Sequence, residues 1–469
     1  MGNYLNPDNS KFQEAINSDI YVDKTGLIRY TNSILHTLQK NLCVSRPRRF
    51  GKSMAANMLT AYYSKGCDSK ELFSGLEIAK DKDFEKYLNK YDTIFLNMQE
   101  FLSRSKNIQE LMERVRKIVL RDLKAAYPKV EFFDENDLIE SMQDVYAYSK
   151  CPFVIIIDEW DCIFREYKQD KDAQEKYLDF LRDFLKDKGY IYLAYMTGIL
   201  PVKKYGTHSA LNMFDEFSML NPGPLAEYVG FTEEEVQALC VKYHMDIEEI
   251  KNWYDGYSFK SVPSVYSPRS VVNSMRLGEI GNYWNQTETF EALKVYIEMN
   301  FEGLRDDVLS MIAGESIPVN IGSFTNDMTT FRNEDDVLTL LVHLGYLAYD
   351  YENRCVSIPN SEIREEYVNT VSVADWGEVS RALKNSADTL NAIWQMRPKF
   401  SEKPAIVVEL KWNKDAEGAI AQIKNKEYCK SLEEYQGNLL MVGVSYSKKT
   451  REHTCVIEEY HGYQEKKKS

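Results

Sequence analysis

Three groups of residues carry types and spacings that could do chemistry. The first is Ser45-Arg46-Pro47-Arg48-Arg49-Phe50-Gly51-Lys52-Ser53, between an apolar run (Leu42-Cys43-Val44) and a helix-forming segment from Met54 to Tyr63. A strand, a loop and a helix in that order suit a phosphate site, because loop N–H groups and the helix dipole both favour an anion. Gly51 lets the backbone approach phosphate, Lys52 can reach the β/γ-phosphates, and the Ser53 hydroxyl can ligate Mg²⁺. Arg46 stands where G-x-x-x-x-G-K-[ST] has its first glycine, so the loop alone reads equally well as a basic turn. The second group is Phe153-Val154-Ile155-Ile156-Ile157-Asp158-Glu159, a buried-strand pattern ending in two acids. Asp158 would hold Mg²⁺ and Glu159 would polarise an attacking water. The third is Glu409-Leu410-Lys411, on a strand where alternation puts Glu409 and Lys411 on one face. That pair could hold a divalent metal and position a water, or it could be a plain surface ion pair.

The elements that must position these residues alternate between strand and helix. Asp92 to Met98 reads as a strand, Ile108 to Ala126 and Glu135 to Ser149 as amphipathic helices, Asp172 to Lys186 as a helix, and Tyr190 to Met196 as a strand. Such alternation predicts a parallel sheet covered on both faces. Thr197-Gly198 ends the last strand, where a hydroxyl could sense a γ-phosphate or merely close the strand. Arg46, Arg48, Arg49, Phe50 and Met54 flank the glycine and lysine, and the arginine forks suit phosphate. Gly223-Pro224 closes this core, and Thr232 with Glu235 gives a helix start. Residues 231 to 300 read as helical, broken by the aromatic turns Trp253-Tyr254-Asp255-Gly256-Tyr257 and Tyr266-Ser267-Pro268-Arg269-Ser270. Those aromatics could stack bases but fit core packing better. A helix and two strands between Asp335 and Thr370 outline a small winged-helix-like module. After Glu409 come a helix from Asp415 to Tyr428 and strands Leu439 to Val444 and His453 to Ile457.

The chain has 469 residues, 44% apolar and 28% charged, enough for several domains and a sizeable core. A net charge of −14 argues against a surface that coats nucleic acid throughout, though not against a local basic groove. No apolar run approaches the ~20 residues of a membrane span. Eight scattered cysteines form no C-x-x-C pair, which points to reduced thiols, a cytoplasmic location and no zinc site.

Tyr21-Val22-Asp23-Lys24-Thr25, Arg46-Pro47-Arg48-Arg49-Phe50-Gly51-Lys52-Ser53 and Ile157-Asp158-Glu159-Trp160-Asp161 together resemble the bacterial family called AAA-ATPase-like. The resemblance makes Arg46 a family feature. It implies ATP and Mg²⁺ as ligands, and a PD-(D/E)XK nuclease-superfamily domain at the C-terminus. Glu409-Leu410-Lys411-Trp412, with Gln422 and Tyr428 on the following helix, resembles that domain. There Glu409 would bind metal, Lys411 would activate water and Gln422 would support the site or touch substrate. The family pattern also requires an earlier aspartate on a preceding strand, and none lies between Trp394 and Glu409. Asp375 and Asp388 stand in helical surroundings, and the chain looks shortened near Met396-Arg397.

The expected architecture is therefore α/β, with a P-loop NTPase core over 1–225 and a helical and winged-helix-like region over 226–370. A truncated restriction-endonuclease-like α/β domain would follow over 371–469. The expected function is ATP binding and hydrolysis coupled to a nuclease-like domain that does not cleave. DNA or RNA is the partner class the resemblance implies for the C-terminal region, with a protein partner or self-association beside it. An active ATP-regulated nuclease and a nucleotide-switched scaffold without turnover are the alternatives.

Overall fold

The computed structural model describes residues 2–202, 211–284, 289–299, 301–324, 331–373, 405–412, 415–425, 439–446 and 453–460. The chain divides into two compact units, Met1–Asp375 and Trp376–Ser469.

The first unit is built on a five-stranded sheet of β1 (Asn41–Ser45), β2 (Asp92–Asn97), β3 (Phe153–Asp158), β4 (Ile191–Gly198) and β5 (Asp215–Phe217). The order is β2-β3-β4-β1-β5 and every pairing is parallel. β1 and β3 are buried along their whole length, as continuous apolar runs in a sheet covered on both faces should be. Because β4 lies between β1 and β3, its C-terminal end falls between the glycine-lysine loop and the acidic strand end. Open α/β sheets bind ligands at that end of their strands. β5 is too short to show a period. It spans Asp215–Phe217, and only Phe217 is buried.

Helices Lys52–Tyr63, Ile108–Ala126, Leu138–Ser149 and Lys171–Leu185 fall within a few residues of expectation. The Lys52–Tyr63 helix buries Ala55, Ala56, Met58, Leu59 and Ala61, so it is held by the core and not by its own amphipathicity.

Residues 231 to 300, expected to be helical apart from two aromatic turns, also carry strands. β6 (Phe231–Thr232), β7 (Tyr257–Phe259) and β8 (Val262–Tyr266) form an antiparallel sheet in the order β6-β8-β7. Thr232 and Glu235 make a full capping box at the start of helix Glu233–Tyr243. The aromatics Tyr254, Tyr257, Tyr266, Tyr283 and Trp284 are buried, so they are core and not a stacking surface. Further on, helix Glu334–Leu344 precedes β10 (Ala348–Asp350) and β11 (Cys355–Ser357); β11 pairs antiparallel with both β10 and β9 (Ile317–Pro318), and helix Ser361–Val373 follows.

The second unit contains β12 (Ala405–Trp412), helix Ala416–Asn425, β13 (Leu439–Tyr446) and β14 (His453–Tyr460). β12 runs parallel to β13, and β14 is antiparallel to β13. Ile420, Ile423, Leu439 and Met441 form a small core, against which Val407 and Val456 pack. Trp394, Asp375, Asp388, Met396, Arg397 and Tyr428 lie outside the described residues, so the missing-aspartate stretch has no structural account.

Candidate functional site

The phosphate-type loop leaves β1 at Ser45 and enters its helix at Lys52. Gly51 takes φ 90° and ψ 10°, a left-handed conformation that costs a residue with a Cβ of order 1 kcal/mol or more. Arg49 (φ 70°) and Glu159 (φ 56°) adopt positive φ without being glycine. Such outliers persist only where neighbours over-determine them. All three line one cavity of about 980 Å³ in the first unit.

Lys52 is buried, and its ammonium donates to the Pro47 carbonyl at 2.8 Å across the loop. Burial pushes its pKa down, while the carboxylates of Glu159, Asp161 and Asp158 push it back up. Ser53 is exposed to the cavity, and Arg48, Phe50 and Met54 also line it. Arg49 donates through Nη1 to the carbonyls of Tyr283 (2.5 Å) and Trp284 (2.8 Å).

Asp158 is buried at the tip of β3. It accepts hydrogen bonds from the Thr197 hydroxyl and from Asn97 Nδ2 at 3.4 Å. Thr197 is itself fully buried, so its hydroxyl is committed to Asp158 and is not in the cavity wall. Glu159 does line the cavity and is ion-paired with Arg165. Arg165 also approaches Asp161 at 3.5 Å, and Asp161 is fixed by the N–H groups of Ile199 (3.0 Å) and Leu200 (2.8 Å). Asp161 and Arg165 are four residues apart around helix Cys162–Glu166. That i,i+4 spacing was the one available signal for Arg165, which the sequence reading passed over.

Arg46 corrects an expectation. Its side chain is fully buried and absent from the cavity wall, and Nη1 donates to the carbonyls of Ser45 (3.0 Å) and Phe217 (2.9 Å). Its guanidinium lies 5.2 Å from the Phe259 ring centroid, and burial lowers its pKa to about 10, still cationic at neutral pH. Arg46 ties the end of β1 to β5 and cannot reach a phosphate in the cavity. Pro47 likewise contributes its carbonyl to Lys52 and not a wall of the cavity.

The facing wall comes from distant segments: Ile20, Tyr21 and Val22 before β1, Phe231 on β6, and Pro268, Arg269, Val272 and Arg276 on helix Pro268–Leu277. Cationic side chains outnumber carboxylates around the cavity although the chain is net acidic. Ile20, Val22, Phe231 and Val272 add apolar lining. The Tyr21-to-Thr25 motif is a clasp: Asp23 accepts from Glu77 N–H at 2.7 Å, and Lys24 pairs with Glu235 at 2.6 Å.

Among the described residues no group of three or more His, Cys, Asp or Glu side chains could hold a metal ion. Ser53 offers a hydroxyl in the cavity wall, whereas Asp158 offers a carboxylate that is buried and, like Thr197, absent from that wall. That set suits Mg²⁺, which keeps waters and leans on substrate phosphates, so the donors fit a nucleotide-borne ion. In the second unit Val407, Glu409 and Lys411 face helix Ala416–Asn425. Lys411 pairs with Glu409 at 3.2 Å and bonds to Gln422 Oε1. The expected trio is together, but the Glu409 charge is matched by Lys411.

A five-stranded parallel sheet, a glycine-lysine-serine loop after β1 and an acid-tipped β3 give the first unit an α/β fold consistent with a P-loop NTPase core. Residues 9–207 match the AAA-ATPase-like family model, described as a predicted AAA-ATPase. That match ends before the middle region and the second unit. No curated protein matches the chain. Among solved structures, the Walker-type ATPase PABY2304 of Pyrococcus abyssi is 13% identical over 73% of this chain and 94% of its own, with a TM-score of 0.39. The ORC2 protein of Aeropyrum pernix, solved as ADPNP-ADP complexes, is 12% identical over 76% and 96%, with a TM-score of 0.33. The ORC1 protein of the same organism, solved with DNA, is 12% identical over 81% and 100%, with a TM-score of 0.25. No helix among the described residues is long and apolar enough to cross a membrane.

Proposed function

We propose that the first unit binds ATP with Mg²⁺ and hydrolyses it. The observation that carries this reading is the buried Lys52 at the start of the loop helix, sharing one cavity with Ser53, Glu159 and Arg165. Lys52 and the N–H groups after Gly51 bind the β/γ-phosphates. Ser53 and Asp158 hold Mg²⁺, which neutralises phosphate charge. Thr197 and Asn97 fix the Asp158 carboxylate. Glu159 orients a water and takes up its proton. Arg165 adds positive charge beside it, and the apolar lining from Ile20, Val22, Phe231 and Val272 seats the base.

The second unit is read as a nuclease-like remnant that does not cleave, with nucleic acid the partner class suggested by the family resemblance alone. A nucleotide-switched scaffold without turnover is the second reading, favoured by the ion pair that occupies Glu159. Mg²⁺-ATP binding and phosphate release by the full chain, with Lys52→Ala in parallel, test both. Binding and turnover lost together in the variant support the ATPase. Binding without turnover supports the scaffold, and no binding by the wild type removes the nucleotide reading.

A further inference from the structure

The peptide group between Tyr283 and Trp284 lies between two charged side chains from distant parts of the chain. Its carbonyl accepts from Arg49 Nη1 at 2.5 Å, and its N–H donates to Glu362 Oε1 at 3.0 Å. The groups on either side repeat the pattern: the Trp284 carbonyl accepts from Arg49 at 2.8 Å, and the Tyr283 N–H donates to Glu362 at 2.7 Å. The other oxygen of Glu362 accepts from Ser270 Oγ at 2.8 Å. Ser270 follows Arg269 on helix Pro268–Leu277, which supplies the facing wall of the cavity. Asn282 is tied to the same helix as Glu362, donating to Glu366 at 2.8 Å and Glu365 at 3.0 Å.

Glu362 is 1% exposed, and a buried carboxylate is costly unless its acceptors are used. Here its three bonds run to the 283–284 strap, which holds Arg49, and to helix Pro268–Leu277, which lines the cavity. Hydrogen bonds in series polarise one another, so an acceptor on one side of a peptide strengthens the donor's hold on the other. Arg49 needs such a hold, because its φ of 70° is unfavourable for a residue with a side chain. The loop is also braced by packing: a Cβ at Gly345 would stand 2.7 Å from the Pro47 ring and 3.0 Å from Trp284.

We propose that Glu362 is a positioning residue for the phosphate loop. Through the 283–284 strap it holds Arg49 and the strained turn before Gly51, and through Ser270 it sets the opposite wall. The identity of the ligand rests on the nucleotide reading, but the coupling does not.

The test has two arms on the full chain. In ligand-free protein, hydrogen exchange is followed at residues 48–53 and 282–284. Glu362→Ala and Arg49→Ala are each expected to speed exchange in both segments by about tenfold or more, with Ile108–Ala126 unchanged. Glu362→Gln keeps an oxygen for the strap N–H groups and is expected to stay near wild type. In the second arm Mg²⁺-ATP affinity falls about tenfold in Glu362→Ala, is restored in Glu362→Gln, and falls no further in the Glu362→Ala/Arg49→Ala double variant. Unaltered exchange at 48–53 in Glu362→Ala, or additive losses in the double variant, would overturn the proposal. Coupled exchange in a chain that binds no ATP would overturn the nucleotide reading and leave the positioning role standing. If Glu362→Ala does not fold, the Arg49→Ala effect on 282–284 decides: protection there unchanged refutes the link.

Discussion

Glu159 and Arg165 form an ion pair inside the cavity, with 24% and 10% of their side chains exposed. In the proposed ATPase Glu159 is the residue that acts on water, and Arg165 is anchored from behind by Asp161. Asp161 in turn is locked to the backbone after β4, so the pair is registered to the same strand end that carries Thr197. The arginine therefore both orients the carboxylate and adds charge beside Lys52. Arg165→Ala is expected to lower ATP turnover at least about tenfold while changing the Michaelis constant less, since charge at a phosphoryl transition state matters more than in the ground state. Steady-state phosphate release measures it. A rise in turnover would show that Arg165 restrains Glu159 instead.

Arg46 makes a sharper case, because changing it to glycine would restore the general loop consensus. The side chain is fully buried and ties the loop to β5 through a bond to the Phe217 carbonyl. Arg46→Gly leaves a cavity, an unpaired carbonyl and a freer backbone. It is expected to cost about 3 kcal/mol or more of stability and to improve nucleotide affinity not at all. Urea unfolding with ATP titration checks both; a stable variant that binds more tightly would contradict the strut role.

The core was legible because its strands are long apolar runs and its helices carry clear periodicity. Phe153 to Ile157 and Ile108 to Ala126 needed no tertiary information. The β7–β8 hairpin was hidden: its two-residue turn is Lys260-Ser261, without an Asn-Gly signal, and Pro263 inside β8 argues against a central strand. The burial of Arg46 was equally invisible, since the Phe217 carbonyl that helps to hold it is 171 positions away. The half of the cavity built from Arg48 to Met54 and Glu159 sits on local motifs. The other half comes from Ile20 to Val22 and Pro268 to Arg276, which no spacing connects.

The buried Glu362 should leave a mark on the pH dependence of stability. Burial, with Glu366 nearby, raises its pKa to about 7 from 4.5, against the pull of hydrogen bonds from Tyr283, Ser270 and Trp284. Arg49, Tyr254, Tyr257 and Tyr283 also face it electrostatically. The folded chain thus holds this proton more tightly than the unfolded chain. Its contribution is fully present below about pH 4.5 and is lost as pH rises through about 7, an effect of order 3 kcal/mol. Glu362→Gln removes that dependence, so relative to wild type the variant should become more stable between pH 5 and pH 8. Urea midpoints at the two pH values measure the difference; a gap that does not widen with pH would place the titration elsewhere.

In the second unit, Glu409 and Lys411 stand 3.2 Å apart, each about one-sixth exposed, with Gln422 bonded to the lysine. A hydrolytic metal needs more than one carboxylate oxygen, and here the nearest charge to Glu409 is a cation. The pair is self-satisfied and would have to separate before Glu409 could take a divalent ion. The full chain is therefore expected to leave plasmid and single-stranded DNA intact in Mg²⁺ or Mn²⁺, with or without ATP. Glu409→Ala should not change that result, though it strands Lys411 and is expected to cost the unit about 1 kcal/mol. Metal-dependent cleavage that disappears in Glu409→Ala would establish the nuclease, and would require a second carboxylate from outside the described residues.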